Sequence, residues 1–245
     1  MANWKMKLLG KEAEELAEEF TKLYKPVGEA EVVLCPDYLN LRPIFKIIKG
    51  KEIKLGAQDC FWEEAGAFTG EISPRSLKEA GCEFVILGHS ERRTFLGETD
   101  KMVNKKVLAV LQENLIPVIC VGETFDERQE GNKDFVIMNQ VNKALAGVDI
   151  INNELIIAYE PVWVIGSGQA VEPEEAEHTH QVIRQVLVDK FELDTVKEKI
   201  RIIYGGSVDP TNIQEFLAMS NIKGALVGGA SLDSSTFNEL VKAAG

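Results

Sequence analysis

The apolar run Ile156-Ile157-Ala158-Tyr159 ends in one carboxylate, Glu160, followed by Pro161-Val162-Trp163-Val164-Ile165-Gly166-Ser167-Gly168. A residue before proline is pushed toward extended geometry, so Glu160 is expected at a strand tip beside a glycine-bearing loop able to close over it. A carboxylate held in that way can serve as a general base under a lid. His89 is one of 3 histidines in the chain and opens the polar segment His89-Ser90-Glu91-Arg92-Arg93 directly after the apolar run Phe84-Val85-Ile86-Leu87. Lys5 stands beside Asn3 and Trp4, and two glycine pairs occur in Tyr204-Gly205-Gly206-Ser207 and Gly228-Gly229-Ala230-Ser231. Taken singly, each feature has an ordinary reading: a strand-end glutamate is commonly salt-bridged, a lysine is commonly surface charge, and a glycine pair is commonly a turn. Their significance depends on whether one fold brings them together.

Short runs dense in Val, Ile and Leu recur at Val32–Leu34, Ile53–Leu55, Phe84–Leu87, Val118–Val121, Leu155–Ile157, Arg201–Tyr204 and Ala225–Val227. Continuous apolar runs suit parallel strands covered on both faces. Met1–Lys5 would supply an eighth strand. Helical patterns separate the runs, as in Val182, Ile183, Val186 and Leu187 with Arg184 and Gln185 turned outward. Ser73-Pro74 and Asp209-Pro210 each place a capping side chain before a proline at an expected helix start. Eight units in 245 residues leave roughly 31 residues each, close to the roughly 30 of a βαβ unit. A single closed (β/α)8 barrel of eight parallel strands with outer helices, spanning 1–245 as one domain, fits that count. An open doubly wound sheet is the alternative, but it usually carries a Gly-rich first turn, and none follows the first strand. In a barrel, all five polar clusters would fall at the same end. The turns after the last two strands are then a natural place for phosphate, held by backbone N–H groups.

Lys plus Arg number 27 against 39 Asp plus Glu, a net charge of -12. Such a surface repels nucleic acid and anionic membrane. No apolar run approaches the roughly 18 residues of a membrane span, and no signal-peptide pattern opens the sequence. Cys35, Cys60, Cys82 and Cys120 lack CxxC spacing and sit in or beside apolar runs, so buried reduced thiols in a cytoplasmic protein are expected. His178 and His180 lie two apart on a helical pattern, face different ways, and are expected to be solvent-exposed rather than ligands.

Asn3-Trp4-Lys5-Met6, Gly70-Glu71-Ile72-Ser73-Pro74, Val85 to Arg93, Ala158-Tyr159-Glu160-Pro161-Val162-Trp163 and Tyr204-Gly205-Gly206-Ser207-Val208 closely resemble signature segments of the triosephosphate isomerases, in order along essentially the whole chain. The resemblance implies interconversion of dihydroxyacetone phosphate and D-glyceraldehyde 3-phosphate, in glycolysis and gluconeogenesis, with no metal and no organic cofactor. It implies Glu160 as the base, His89 as neutral electrophile and proton shuttle at a helix N-terminus, and Lys5 as fixed positive charge. Asn3 would add a hydrogen bond, and Glu91 would orient Lys5. Phosphate would rest on N–H groups of Gly166, Ser207, Gly228 and Gly229, with loop closure excluding water.

The same resemblance makes Pro161-Val162-Trp163 and Gln169-Ala170-Val171 the loop hinges, although Gln169 and Ala170 stand where the family usually has Lys and Thr. Lys7 likewise replaces a common Asn. Only Met1 and Ala2 precede Asn3, so a short first strand is expected. The loop Trp62 to Glu71 is long, with an apolar centre at Phe68, and suggests a partner surface. In the resembling family it enters the neighbouring subunit of a homodimer, where Thr69 would support the neighbour's Asn3 and His89. Two other readings stand beside this one: another phosphosugar isomerase on the same barrel, or a barrel that binds sugar phosphate without turnover.

Overall fold

Six of the apolar runs form strands in the computed structural model, which describes residues 1–150, 153–165 and 170–245. They are β2 (Val32–Cys35), β3 (Ile53–Ala57), β4 (Phe84–Leu87), β5 (Ile116–Val121), β6 (Leu155–Tyr159) and β7 (Ile200–Tyr204), preceded by the two-residue β1 (Ala2–Asn3). The helices are α1 (Gly10–Leu23), α2 (Leu41–Ile48), α3 (Pro74–Ala80), α4 (Ser90–Leu96), α5 (Asp100–Gln112), α6 (Phe125–Gln129), α7 (Lys133–Ala144), α8 (Pro173–Lys190), α9 (Leu193–Lys199), α10 (Ile213–Leu217) and α11 (Ser234–Ala244). The strands pair in chain order, all in parallel, with Asn3 opposite Cys35, Leu87 opposite Ile119 and Tyr159 opposite Tyr204.

This sheet corrects the expected closed eight-stranded barrel. It is an open, curled sheet of seven strands whose edges, β1 and β7, do not pair with each other. Ala225-Leu226-Val227 makes only isolated bridges, Ala225 to Tyr204 and Val227 to Ala2. Bonds to both edges still tie it in, Leu226 N–H to Tyr204 O at 2.8 Å on one side, and Asn3 N–H to Val227 O and Val227 N–H to Met1 O, each at 2.8 Å, on the other. The segment is bounded by Gly224, at φ +144°, and by Gly228, and it faces a β1 of only two residues. An apolar run signals burial, but three residues between glycines are too few for a ladder of the usual strand length.

Side chains alternate along each strand. Val33, Cys35, Phe84, Ile86, Val118, Cys120, Ile156, Ala158 and Ile203 form a cluster on one side of the sheet. Val32, Leu34, Val85, Leu87, Ile119, Ile157 and Ile202 pack with helix residues such as Ile44, Val107, Val141 and Ile183. Burial on both faces explains why the runs are continuous rather than alternating. All four cysteines are buried free thiols, and burial pushes Cys35 and Cys82 up to about 12.

Ser73 caps α3 as expected, its hydroxyl accepting from Ser76 N–H at 3.2 Å with Pro74 in the first turn. Asp209-Pro210 does not start a helix. Asp209 Oδ1 instead accepts from Thr211 N–H at 2.7 Å in a turn, and α10 begins only after Asn212. His178 is exposed beside Asp134, whereas His180 is buried, contrary to expectation, with Nδ1 2.7 Å from Ala176 O. Ala176, His180, Ile183 and Leu187 share the buried stripe of α8, so the ring follows its helical neighbours inward. No described helix is long and apolar enough to cross a membrane.

Candidate active site

The C-terminal ends of the strands surround a cavity of about 370 Å³ lined by Asn3, Lys5, His89, Glu160, Gly205, Ser207, Gly228 and Gly229, among others. These residues come from the ends of β1, β4, β6 and β7 and from the turn after Val227. Gly166 and Gln169 lie outside the described residues. Glu91 does not line the cavity but touches Lys5 beside it.

Glu160 is 2% exposed and fixed in the chain by its N–H on Val121 O at 2.8 Å. Its carboxylate meets two donors: His89 Nε2 is 3.0 Å from Oε1, and Ser90 N–H donates to Oε2 at 2.9 Å. Ser90 is the first residue of α4, where backbone N–H groups lack intrahelical partners and the helix dipole favours an anion. Space around the carboxylate depends on glycine. A Cβ on Gly205 would come 2.8 Å from Glu160 Cγ, and one on Gly122 would come 1.7 Å from the Glu160 carbonyl oxygen.

His89 caps α4 through its ring: Nδ1 accepts from Glu91 N–H at 3.2 Å. A nitrogen that accepts a backbone N–H carries the lone pair, so the hydrogen resides on Nε2 and points at Glu160. The ring is thereby the neutral tautomer, with its donor directed into the cavity.

Lys5 Nζ lies 2.7 Å from Glu91 Oε1. Its backbone sits at φ +53°, the left-handed region that non-glycine residues seldom occupy. Two bonds hold it there, and a third anchors one of the partners. Asn3 Oδ1 accepts Lys5 N–H at 3.1 Å, Gln58 Nε2 donates to Lys5 O at 2.9 Å, and the same Nε2 donates to Cys35 O at 2.9 Å. Gly228 packs beside the stem of Lys5, where a Cβ would stand in ordinary contact at 3.6 Å from Cε.

Gly228 precedes a short 3₁₀ turn, Gly229–Leu232, whose first N–H groups are the sort of donors an anion needs. Ser207 lies across the cavity, its hydroxyl 3.4 Å from Val164 O. The cavity thus combines a carboxylate, an imidazole donor and an ammonium group at one end, and bare backbone amides at the other.

Sequence reasoning missed Gln58, Asp209, Asn212 and Glu123. Asp209 and Asn212 line the cavity. Glu123 is fully buried beside Tyr159 and Trp163, where Oε1 accepts from Trp163 Nε1 at 2.9 Å and from Tyr159 OH at 3.3 Å, and burial raises its carboxyl above the usual range. Its position after β5, as Gly122-Glu123, matches Gly88-His89 after β4 and was a readable signal. On the far side of the loop, Tyr204 OH accepts from Val171 N–H at 3.4 Å.

The chain is also similar in sequence to known proteins along nearly its whole length. The sequence profile of the triosephosphate isomerase family matches residues 1–244. The triosephosphate isomerase of Thermoanaerobacter pseudethanolicus is 49% identical over 245 residues, covering 98% of this chain and 96% of its own. That of Dictyoglomus thermophilum is 47% identical over 242 residues, covering 98% and 97%, and that of Aquifex aeolicus is 45% identical over 241 residues, covering 98% and 96%. Identity of this extent, over nearly the full length of both partners, shows that the chain belongs to the triosephosphate isomerase family and is an isomerase.

Proposed function

We propose that the chain interconverts dihydroxyacetone phosphate and D-glyceraldehyde 3-phosphate through an enediolate, a step of glycolysis and gluconeogenesis, with residues 1–245 acting as one catalytic domain. The observation that carries this reading is the 3.0 Å contact of His89 Nε2 with Glu160 Oε1 in a cavity that Lys5 also lines. Moving a hydrogen between adjacent carbons requires a base that takes a proton from one and returns it to the other. Glu160 is that base. The oxygens of the enediolate gain negative charge and need donors already in place. His89 Nε2–H is one, and the ring moves a proton between the two oxygens; Lys5 supplies positive charge and Asn3 a further contact.

In the geometry described, the donor that a substrate carbonyl needs is engaged by Glu160 itself. Substrate must take over the His89 N–H, which releases the carboxylate toward carbon and links binding to activation of the base. Glu91 holds Lys5 so that the ammonium does not collapse onto Glu160. The phosphate rests on N–H groups of Ser207, Gly228 and Gly229, with Gly166 as a fourth from the loop. No cofactor enters this scheme, because the carbonyl already acidifies the neighbouring C–H bond.

The working unit is a homodimer formed through the loop Trp62 to Glu71, with Thr69 reaching the neighbour's Asn3 and His89. Residues 63–71 are exposed and Phe68 is 43% exposed, its ring 4.7 Å from that of Phe61. Met6, Leu39 and Phe95 also stand in solvent, a set of large apolar groups that a second copy would cover.

A coupled assay with D-glyceraldehyde 3-phosphate, run in D₂O alongside a mass measurement in solution, tests the reading. Turnover with deuterium appearing on the carbon that receives the proton is expected from a dimer. Absence of turnover contradicts the catalytic assignment, and full activity in a monomer contradicts the role of the loop.

A further inference from the structure

At the opposite end of β7 from the catalytic cavity lies a groove of about 460 Å³ between α8, α9 and the turn that follows α10. Its lining brings together four cations, Arg184, Lys197, Arg201 and Lys223, with Ser220 and Asn221, and it contains no carboxylate. We propose that this groove is a second anion site, specific for a small multivalent phosphate such as a diphosphate group, and separate from the triose phosphate cavity.

Like charges gathered in one concavity repel one another, and the cost is relieved when a counter-anion or a carboxylate sits among them. The buried Lys106 has such carboxylates, Asp59 and Glu98, although Arg184 is half-buried and Lys197 and Lys223 are exposed, so solvent screens part of the repulsion in the groove. In the groove only Arg201 does, held by Glu31 at 2.9 Å and Glu154 at 3.3 Å. Arg184, Lys197 and Lys223 form no ion pair with any described residue. A third carboxylate, Glu177, bonds a residue of the lining: its two oxygens accept from Asn221 N–H at 3.1 Å and from Asn221 Nδ2 at 2.6 Å. Glu177 thereby holds the Asn221 turn in place, and its charge, set behind Asn221, offsets only part of that of the four cations.

The setting makes a local patch of this sign unusual, because the chain as a whole carries a net charge of -12. Long-range attraction of anions is therefore absent, and selectivity must arise at contact, from several cations acting together within a Debye length of about 8 Å at physiological ionic strength. Three cations without an ion-pair partner around one concavity match an anion of charge two or more better than a monovalent one. Guanidinium and ammonium groups both suit phosphate oxygens, Arg184 with a planar fork and the lysines as point charges. The hydroxyl of Ser220 supplies a neutral donor at the rim. None of these residues touches the catalytic cavity, so binding here and turnover there are separable.

The test uses inorganic pyrophosphate as probe, followed by amide chemical shifts of the full-length protein at low and at physiological salt. Saturable shifts of Ser220, Asn221 and Lys223 are expected, weakening as salt rises. Arg184→Glu combined with Lys197→Glu should weaken binding at these amides at least tenfold while isomerase turnover stays at the parental value. Shifts at Ser207 and Gly229 report any pyrophosphate in the catalytic cavity and should be the same in both proteins. If the double variant does not fold, Lys197→Gln and Lys223→Gln, both at exposed positions, should each weaken binding by several-fold. Overturning results are an absence of saturable shifts at Ser220 and Asn221, or binding there that is unchanged by these substitutions.

Discussion

Gln58 Nε2 donates at 2.9 Å to the carbonyl of Lys5, a residue whose backbone sits at φ +53°. The same amide reaches Cys35 O at 2.9 Å, so one side chain fixes Lys5 against the end of β2. Left-handed backbone at a residue bearing a Cβ persists only where its surroundings impose it. Gln58→Ala takes this donor from the Lys5 carbonyl, while Cys35 O keeps Trp4 N–H at 3.1 Å, and should cost about 1–3 kcal/mol. Because Lys5 then loses its position, kcat/KM should fall further than stability alone explains. Urea unfolding and steady-state kinetics on the same preparation check both parts; an unchanged KM and kcat would remove Gln58 from the positioning of Lys5.

His180 gives stability a defined dependence on pH. Burial lowers its ring from 6.5 to about 4, and Nδ1 meets Ala176 O at 2.7 Å. Between those values the unfolded chain binds a proton that the folded chain refuses. The contribution is therefore complete above pH 6.5 and is lost as pH falls toward 4. His180→Asn keeps a donor near Ala176 O but does not titrate there. Between pH 7.5 and 4.5 the parent should lose about 2–3 kcal/mol more than this variant. Asp59, pushed up to about 6 by burial, runs the other way, gaining stability as it is protonated on acidification, so the comparison is made between the two proteins rather than on the parent alone. Equal pH profiles would show that His180 is not the group responsible.

The contrast between Glu160 and His180 shows what sequence reasoning can reach. Glu160 was legible because an apolar run, a following proline and a glycine loop fix its place through local chemistry alone. His180 was misread because the pair His178 and His180 was considered apart from Ala176 and Ile183, which set the buried stripe. Ala225-Leu226-Val227 was over-read for a related reason: apolarity reports burial, whereas ladder length depends on the flanking glycines and on the partner strand. Gln58 could not be found from sequence, since its role exists only once Lys5 O and Cys35 O lie within reach of one amide. Six strand runs and the residues at their tips were readable, and the contacts between distant tips were not.

A buried ion network stands behind α4. Lys106 Nζ lies 2.7 Å from Asp59 Oδ1 and also contacts Glu98, while Arg92 reaches Asp59 at 2.8 Å and Glu98 at 3.2 Å. Lys106→Met removes one cation and leaves two buried carboxylates to a single guanidinium, which should cost about 3–5 kcal/mol. Adding Asp59→Leu to that variant should recover part of the loss, because the remaining carboxylate keeps Arg92. Denaturant midpoints of the single and double variants decide this, and a double variant no more stable than Lys106→Met would refute the pairing argument.

The catalytic reading rests on the carboxylate that His89 and Ser90 hold at the tip of β6. Glu160→Gln keeps the shape of the side chain and removes the proton acceptor. Its kcat for D-glyceraldehyde 3-phosphate should fall by at least about 10²–10⁴-fold, with KM changed only a few-fold. A variant that turns over within tenfold of the parent would contradict the account at its centre.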